Sequence, residues 1–158
     1  MIDSLEECRL FTGCSKEELA DIGNICQRIA FKKGHHLFEA GSPAEYLFIV
    51  IGGAIELRFK VTHYNAPQEL TIDRILKGEA FGWSALSEPN IYTLSGLSTT
   101  DSELLQVKAN DIMKLCKENY HLGYILMKNI AAIVGERFAT MQKILIDVIQ
   151  QHLIKKEG

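Results

Sequence analysis

A large excess of charge of one sign is missing from this chain of 158 residues, which has 17 Lys and Arg against 20 Asp and Glu and a formal net charge of −3. Without a positive excess there is no general electrostatic attraction to nucleic acid or to an anionic membrane surface. Long apolar runs are missing too, since the longest, Tyr46 to Ile51, is far shorter than the ~20 residues that cross a bilayer. We therefore expect this chain alone to bind neither nucleic acid nor a membrane.

Cysteine is scarce, and its spacing fits no metal or redox motif. The four cysteines are Cys8, Cys14, Cys26 and Cys116, and 5, 11 and 89 residues separate them. Zinc, haem-attachment and thioredoxin motifs need cysteines a few residues apart. The residues after Met1 are acidic rather than basic or apolar, so no export signal is predicted either. We expect free thiols, no metal site and a cytoplasmic location.

Common catalytic spellings are also missing. The sequence has no G-x-S-x-G, no H-E-x-x-H, no P-loop and no G-x-G-x-x-G. The segment Gly82 to Leu86 begins like a nucleophile elbow, but Leu86 stands where that motif needs glycine. We therefore expect a protein that is not an enzyme.

What the sequence does have is enough apolar residues, 47% of the chain, for one sizeable core. No repeat or Pro/Gly-rich linker divides it, so residues 1–158 are predicted to form one domain. A capping-box spelling at Ser15 to Glu18 opens a helix within residues 1–27. Residues 28–107 are rich in strand patterns, and residues 110–156 are helical in pattern.

Strand patterns are strongest around a pair of glycines. From Ile55 to Val61 apolar and charged residues alternate, which predicts a half-buried antiparallel strand. Gly52-Gly53 joins it to the apolar run from Tyr46 to Ile51 and predicts a tight hairpin. Further strands are predicted at Arg28–Lys32, His36–Phe38, Leu70–Leu76, Tyr92–Ser98 and Glu103–Val107, with a loop at Thr62–Gln68. Seven or eight short strands are typical of a sandwich or jelly roll.

The C-terminal region predicts a short helix near Asp111 to Lys117 and then one long helix. From His121 to about Lys155 there is no proline, enough for a helix of ~50 Å. Apolar residues recur there at alternating steps of four and three and form a heptad seam: Met127, Ala131, Val134, Phe138, Met141, Leu145 and Val148. The seam could pack on the chain's own strands, but we favour a homodimer in which two such helices pair.

One order of residues is more specific than these patterns. It consists of Gly34, Phe38, Gly41, the apolar strand ending in Gly52-Gly53, the alternating strand, and then Gly78-Glu79-Ala80-Phe81-Gly82-Trp83-Ser84-Ala85-Leu86. This order resembles cyclic nucleotide-binding domains of the Crp/Fnr type, and the likeness runs from about Leu10 to Ile149. The resemblance implies a mainly β fold with flanking helices, a β-roll (double-stranded jelly roll), and a long C-terminal helix that makes the dimer.

The resemblance also implies a phosphate-binding cassette at Phe81 to Ser98. The positions expected to bind ligand are Phe81, Gly82, Trp83, Ser84, Ala85, Leu86, Ile91, Tyr92 and Thr93. Free N–H groups from Trp83 to Leu86, at the start of a short helix, would cradle an anion. The alternative is that Gly82 only makes a turn and that Trp83 only packs in the core.

Two cassette positions depart from the family pattern. The family has a Glu that binds a ribose hydroxyl, where this chain has Trp83, and an Arg that pairs with the cyclic phosphate. No Lys, Arg or His lies in the cassette, and the nearest cations in sequence are Arg74 and Lys77. Because an unpaired buried charge costs ~3–5 kcal/mol, we expect cAMP to bind only in the high-micromolar range or weaker. Trp83 and Tyr92 could offer aromatic faces and a donor to a less charged effector, or side chains could fill the pocket.

These observations favour a non-enzymatic small-molecule sensor that signals through a dimer of its C-terminal helix. Two alternatives stay open: the effector half of a Crp/Fnr-type transcription regulator without its DNA-binding domain, and a ligand-free dimerisation or scaffold module. The chain ends at Gly158, soon after the long helix. Of the two forms, we favour a stand-alone sensor over a truncated regulator.

Overall fold

Two antiparallel sheets of four strands each form the middle of the chain in a computed structural model that describes residues 1–63 and 66–157. The strands are β1 (Cys26–Phe31), β2 (His36–Phe38), β3 (Tyr46–Gly52), β4 (Ala54–His63), β5 (Ala66–Leu76), β6 (Ala80–Phe81), β7 (Ser95–Ser98) and β8 (Ser102–Lys108). The helices are α1 (Ile2–Glu6), α2 (Lys16–Ile25), α3 (Ala109–Glu118) and α4 (Tyr120–Glu157), with short 3-10 helices at Arg9–Phe11 and Trp83–Leu86. The fold is therefore mainly β with flanking helices and a long C-terminal helix, as the sequence predicts.

The order of the strands is that of a roll. One sheet has the order β1-β8-β3-β6 and the other β2-β7-β4-β5, and each named pair of strands runs antiparallel. Strand β3 is buried on both faces, which explains why its sequence is a continuous apolar run. Leu47 and Ile49 point to an aliphatic core beneath the helices, whereas Phe48 and Val50 point to a second core between the sheets.

The predicted hairpin at Gly52-Gly53 is wrong, because β3 and β4 lie in different sheets. The two glycines instead carry the chain from one sheet to the other. Gly53 has a φ of +84°, and a Cβ atom there would lie 2.7 Å from the carbonyl oxygen of Asp101. A crossover that tight needs glycine just as a hairpin does, so the glycine pair alone does not distinguish them.

Several predicted strand ends also differ from the structure. Strands β4 and β5 extend through most of the predicted Thr62–Gln68 loop, of which Tyr64 and Asn65 lie outside the described residues. The strand predicted at Tyr92–Ser98 begins only at Ser95, and β6 was not predicted. Strands β4 and β5 pair as a long hairpin, and the alternation of apolar and charged residues continues into it. Phe59, an apolar position of that pattern, is exposed there rather than buried.

Helix α2 begins as predicted and is tied to the start of α4. The Ser15 hydroxyl accepts from the Glu18 N–H at 3.2 Å, and the Glu18 carboxylate accepts from the Ser15 N–H at 2.8 Å. The same buried carboxylate accepts from the amide of Asn119 at 2.9 Å and contacts Nδ1 of His121 at 2.8 Å. Glu18 therefore links the start of α2 to the start of the C-terminal helix α4.

Helix α4 has 38 residues, or about 57 Å of length. Near its start Leu122 and Leu126 are buried, and the Asn129 amide donates to the carbonyls of Leu10 and Thr12. The residues of the heptad seam are all exposed in the single chain. The alternative that this seam packs on the chain's own strands is therefore wrong.

Candidate functional site

A cavity of about 220 Å³ lies between the β-roll and α4. Its walls come from the sheet that contains β4 and β5, from the cassette, and from α4. Five of the predicted site residues line it: Gly82, Trp83, Ser84, Tyr92 and Thr93. The other four, Phe81, Ala85, Leu86 and Ile91, do not line it.

The cassette begins with a backbone conformation that requires glycine. Gly82 has a φ of +92°, and a Cβ atom there would lie 2.8 Å from the carbonyl oxygen of Tyr46. The 3-10 helix that follows, Trp83–Leu86, has four residues. The predicted set of free N–H groups is wrong for Ala85, whose N–H donates to the Gly82 carbonyl at 3.0 Å, and for Leu86, whose N–H donates to the Trp83 carbonyl in the i→i+3 pattern of the 3-10 helix.

The loop after this short helix is held by one side chain. Asn90 has a φ of +56°, in the left-handed region that asparagine tolerates better than most residues. Its side-chain amide donates to the carbonyls of Ala85 at 3.1 Å and Ser84 at 3.3 Å, and its N–H donates to Ser87 at 2.9 Å. The carbonyl groups at the end of the 3-10 helix are therefore satisfied within the cassette.

Tyr92 is one of three residues, with Asn90 and Ile91, that stand where the cassette pattern has its phosphate-pairing arginine. The side chain is 5% exposed, and its ring stacks on Phe38 with 3.8 Å between centroids. Its hydroxyl donates to the Tyr46 carbonyl at 2.8 Å and accepts from the Tyr46 N–H at 3.2 Å. Burial raises the pKa of Tyr92, so this hydroxyl stays neutral. The expectation that Tyr92 could offer its O–H to a ligand is wrong, because that hydroxyl has one proton and donates it to the Tyr46 carbonyl.

Trp83 both packs and lines the cavity. Its ring contacts the aliphatic core, as the packing alternative predicts. Its Nε1 atom is buried and has no hydrogen-bond partner in the described part of the chain. An indole N–H can only donate, and leaving a buried donor unpaired costs ~1–3 kcal/mol.

The cation of this site is one that the sequence analysis missed. Arg137 of α4 lines the cavity, with its Nε 3.1 Å from Oδ2 of Asp73 on β5 and its Nη2 3.4 Å from the Ala80 carbonyl. Of the two cations nearest in sequence, Lys77 pairs with Glu7, and neither Lys77 nor Arg74 lines the cavity. The sequence did hold a signal for this residue: Arg137 interrupts the row of apolar residues on the face of α4 that contacts the roll.

The ion pair lies where α4 is anchored on the roll. Glu136, next to Arg137, pairs with Arg9, which follows α1. A second cavity of about 270 Å³ lies beside the first, and Asp73, Arg137 and Met141 line both. Movement of α4 would therefore change the shape of both cavities.

The described residues contain neither a thiol with a lowered pKa nor a metal-binding cluster. Burial raises the pKa of Cys8, Cys14 and Cys26 to about 11, so these free thiols are neutral. Residues 1–63 and 66–157 contain no cluster of three or more His, Cys, Asp or Glu that could hold a metal ion. Over the same residues, no helix is both long and apolar enough to cross a membrane.

Comparison with known proteins gives matches over most of the chain. The family model described as "Cyclic nucleotide-binding domain" matches residues 28–119. A Cyclic AMP receptor protein of Thermus thermophilus is 28% identical over 128 residues, which are 81% of this chain and 56% of that protein. A Glutaminase 1 of Bradyrhizobium diazoefficiens is 25% identical over 133 residues, which are 84% of this chain but 20% of that protein. The chain thus spans between a fifth and just over half of these curated relatives.

The fold is also found among solved structures. A cyclic nucleotide-binding domain from Methylobacillus flagellatus superposes with a TM-score of 0.78 over 92% of this chain and 80% of that one. The two are 16% identical, so this likeness concerns the fold alone.

Proposed function

The chain belongs to the family of cyclic nucleotide-binding domains, and from this premise we propose that it is a non-enzymatic regulatory domain that senses a small molecule. The effector binds in the cavity of about 220 Å³ between the cassette and α4. Its occupancy is transmitted through α4 to a second copy of the chain. Four free cysteines support a reducing, cytoplasmic setting for this sensor.

One observation carries this proposal: the same helix lines the cavity and exposes the heptad seam. Met141 belongs to the seam and lines the cavity, and Arg137 lines the cavity next to the seam residue Phe138. A ligand that contacts α4 can favour one position of the helix over another by its difference in affinity for the two. Sensing and assembly then share one structural element.

The effector is not expected to be cAMP. The cassette has no Lys, Arg or His, and none of Asn90, Ile91 and Tyr92 supplies the phosphate-pairing arginine. Trp83, at the position of the ribose-binding Glu, has no carboxylate to offer. Arg137 of α4 lines the cavity, but Asp73 already balances part of its charge. These features support cAMP binding in the high-micromolar range or weaker.

A homodimer through α4 is supported by the exposure of the seam. Six of its seven members are large apolar residues exposed in the single chain: Met127, Val134, Phe138, Met141, Leu145 and Val148. Such a stripe on a soluble surface marks a contact with a partner. Its heptad spacing is that of two paired helices.

The sensor function is tested by thermal unfolding in the presence of nucleotides and small metabolites. A site filled to ~100 times its Kd adds ~2.7 kcal/mol of stability, which raises the Tm by about 5 °C or more. Thr93→Phe places a ring at an exposed position that lines the cavity and should abolish this rise. Thr12→Phe makes the same change at an exposed position that does not line it and should keep the rise.

A rise that Thr93→Phe leaves intact would show that the effector binds elsewhere. If no compound changes the Tm, the result favours the alternative of a ligand-free dimerisation or scaffold module.

The match to 56% of a cyclic AMP receptor protein supports a second candidate, the effector half of a longer regulator. The coding sequence beyond the codon for Gly158 separates the two candidates. A helix-turn-helix region there would favour the longer regulator.

A further inference from the structure

We infer that the effector is a small organic anion with an apolar ring, and that Arg137 of α4, rather than the cassette, binds its negative group. This inference rests on the sensor function proposed above and names the chemistry of its effector.

The charges that face the cavity support a single negative group. Arg137 and Asp73 are the only charged side chains among the described residues that line it. Asp73 lies at Nε of the guanidinium and Ala80 accepts from Nη2, while Nη1 has no hydrogen bond within residues 1–63 and 66–157. A guanidinium presents five donors in a fixed fork, so its other edge can still bind a carboxylate. Because Asp73 already balances part of the positive charge, a ligand with two negative charges would leave one of them unpaired.

The walls and the size of the cavity support an apolar ring. Phe38, Leu57, Tyr92 and Leu94 line it with aromatic and aliphatic surface. Its volume of about 220 Å³ lies below the ~300–1,000 Å³ of pockets that hold drug-sized ligands. A nucleotide brings a sugar and a base with many polar groups, whereas this cavity offers few partners for them. A ring with one acid group matches it better.

Trp83 and Arg137 line the cavity from two different elements, the cassette and α4. A ring bound there can contact the indole of Trp83 while its acid group reaches Arg137. The ligand would then join the cassette, through Trp83, to α4, through Arg137.

Trp83 is the only tryptophan of the chain, so its fluorescence reports directly on the cavity. The probes are phenylpropionate and phenylpropionamide, which are similar in shape but differ in charge. The wild type should bind the acid at least about tenfold more tightly than the amide, because the hydrogen bonds to the acid are charge-assisted.

Three variants of Arg137 and Asp73, measured with the same two probes, test the role of this ion pair, and a fourth variant is the control. Arg137→Gln should remove the preference for the acid, and Arg137→Lys should keep part of it. Asp73→Asn should strengthen binding of the acid by about threefold or more, because it removes a competing negative charge. Arg74→Gln changes an exposed arginine on the same strand outside the cavity and should change nothing. A thermal melt of each variant checks that it is folded.

Equal binding of acid and amide, or a preference that survives Arg137→Gln, would overturn the anion inference and leave the sensor function standing. If neither probe changes the fluorescence while a metabolite of another class raises the Tm, the inference alone fails. If neither probe nor any metabolite has an effect, the proposed function fails with it.

Discussion

Both ends of α4 carry many apolar residues, but only the first end has buried ones, Leu122 and Leu126. Leu126 is 0% exposed near the start of the helix, whereas Phe138 is 64% and Leu145 59% exposed further along. The first end lies on the aliphatic core of the roll and the second extends past it. An apolar stripe thus indicates that a helix face is to be buried. Whether the same chain or a partner buries it depends on the rest of the fold.

The boundary between the two ends is where the candidate site lies. Arg137 and Met141 line the cavity there, and Glu136 is anchored by Arg9. In the proposed sensor, this contrast between a buried and an exposed end would let one helix contact both an effector and a second copy of the chain.

The largest effect is expected from charges placed in the exposed end. Phe138→Glu combined with Leu145→Glu puts like charges in the seam without touching a cavity-lining residue. Since each buried apolar side chain contributes ~1.5–3 kcal/mol, the dimer should weaken by at least about a thousandfold. Sedimentation at micromolar concentration should then show monomers.

Ala139→Glu with Gln150→Glu is the matched control, because both residues lie on the opposite face of α4 by helical spacing. It should remain dimeric. Equal dissociation of both double variants would mean that charge in general, not the seam, governs assembly.

A pair of glycine replacements compares the roll with the exposed end directly. Gly82→Ala should destabilise the fold by about 2–4 kcal/mol, since the residue is in the left-handed region and its Cβ would meet the Tyr46 carbonyl. Gly135→Ala should stabilise it by ~0.5–1 kcal/mol, because the added methyl meets nothing within 4 Å in mid-helix. Urea unfolding of both variants measures this difference, and a loss of stability in Gly135→Ala would show that this face is already in close contact.

The sequence predicted the parts of the fold that depend on local pattern. The capping box at Ser15, the alternation from Ile55 and the long helix to its end are set by neighbours in sequence. It did not predict that Gly52-Gly53 changes sheets, because a hairpin and a crossover make the same demand on φ. Strand β6, with two residues, is too short to carry a pattern.

The candidate site was predicted in its backbone but not in its charge. The cassette lies where Gly82 and the residues next to it in sequence predict it, and five of its residues line the cavity. Arg137 lies 55 residues after Gly82 in sequence, by the numbering of the chain. Only the path of α4 across the roll brings the two together, and local pattern does not contain that path.

A smaller effect concerns cAMP in the cavity, where Arg137 is the only lysine or arginine among the lining residues that the structure describes. Thr93→Arg adds a second cation at a position that lines the cavity and should tighten cAMP binding at least about tenfold. Ile91→Arg adds the same charge at an exposed position outside the cavity and should not. Calorimetry at fixed salt measures both, and equal gains would indicate long-range attraction only. Low-micromolar binding by the wild type would show that Arg137 already replaces the missing cassette arginine.

The smallest effect concerns the buried end of α4. Burial by itself would raise the pKa of Glu18, but its hydrogen bonds with Ser15, His121 and Asn119 outweigh this and lower it. Because the pKa is lower in the folded state, this carboxylate stabilises the fold above its unfolded pKa of about 4.3, and the contribution is lost as pH falls through the folded value.

Glu18→Gln should cost ~1–2 kcal/mol near neutral pH, and the cost should shrink in acid. Glu17→Gln, at an exposed position in the same turn, should cost little at any pH. Urea unfolding of both variants at several pH values measures this. A cost for Glu18→Gln that does not change with pH would contradict the electrostatic account.

In the proposed dimer, a second copy of the chain covers the exposed end of α4. Light scattering of the wild type at micromolar concentration tests it directly. We predict a particle of twice the 17.7 kDa chain mass. A particle of the chain mass itself would contradict the account, because the seam from Met127 to Val148 would then have no partner.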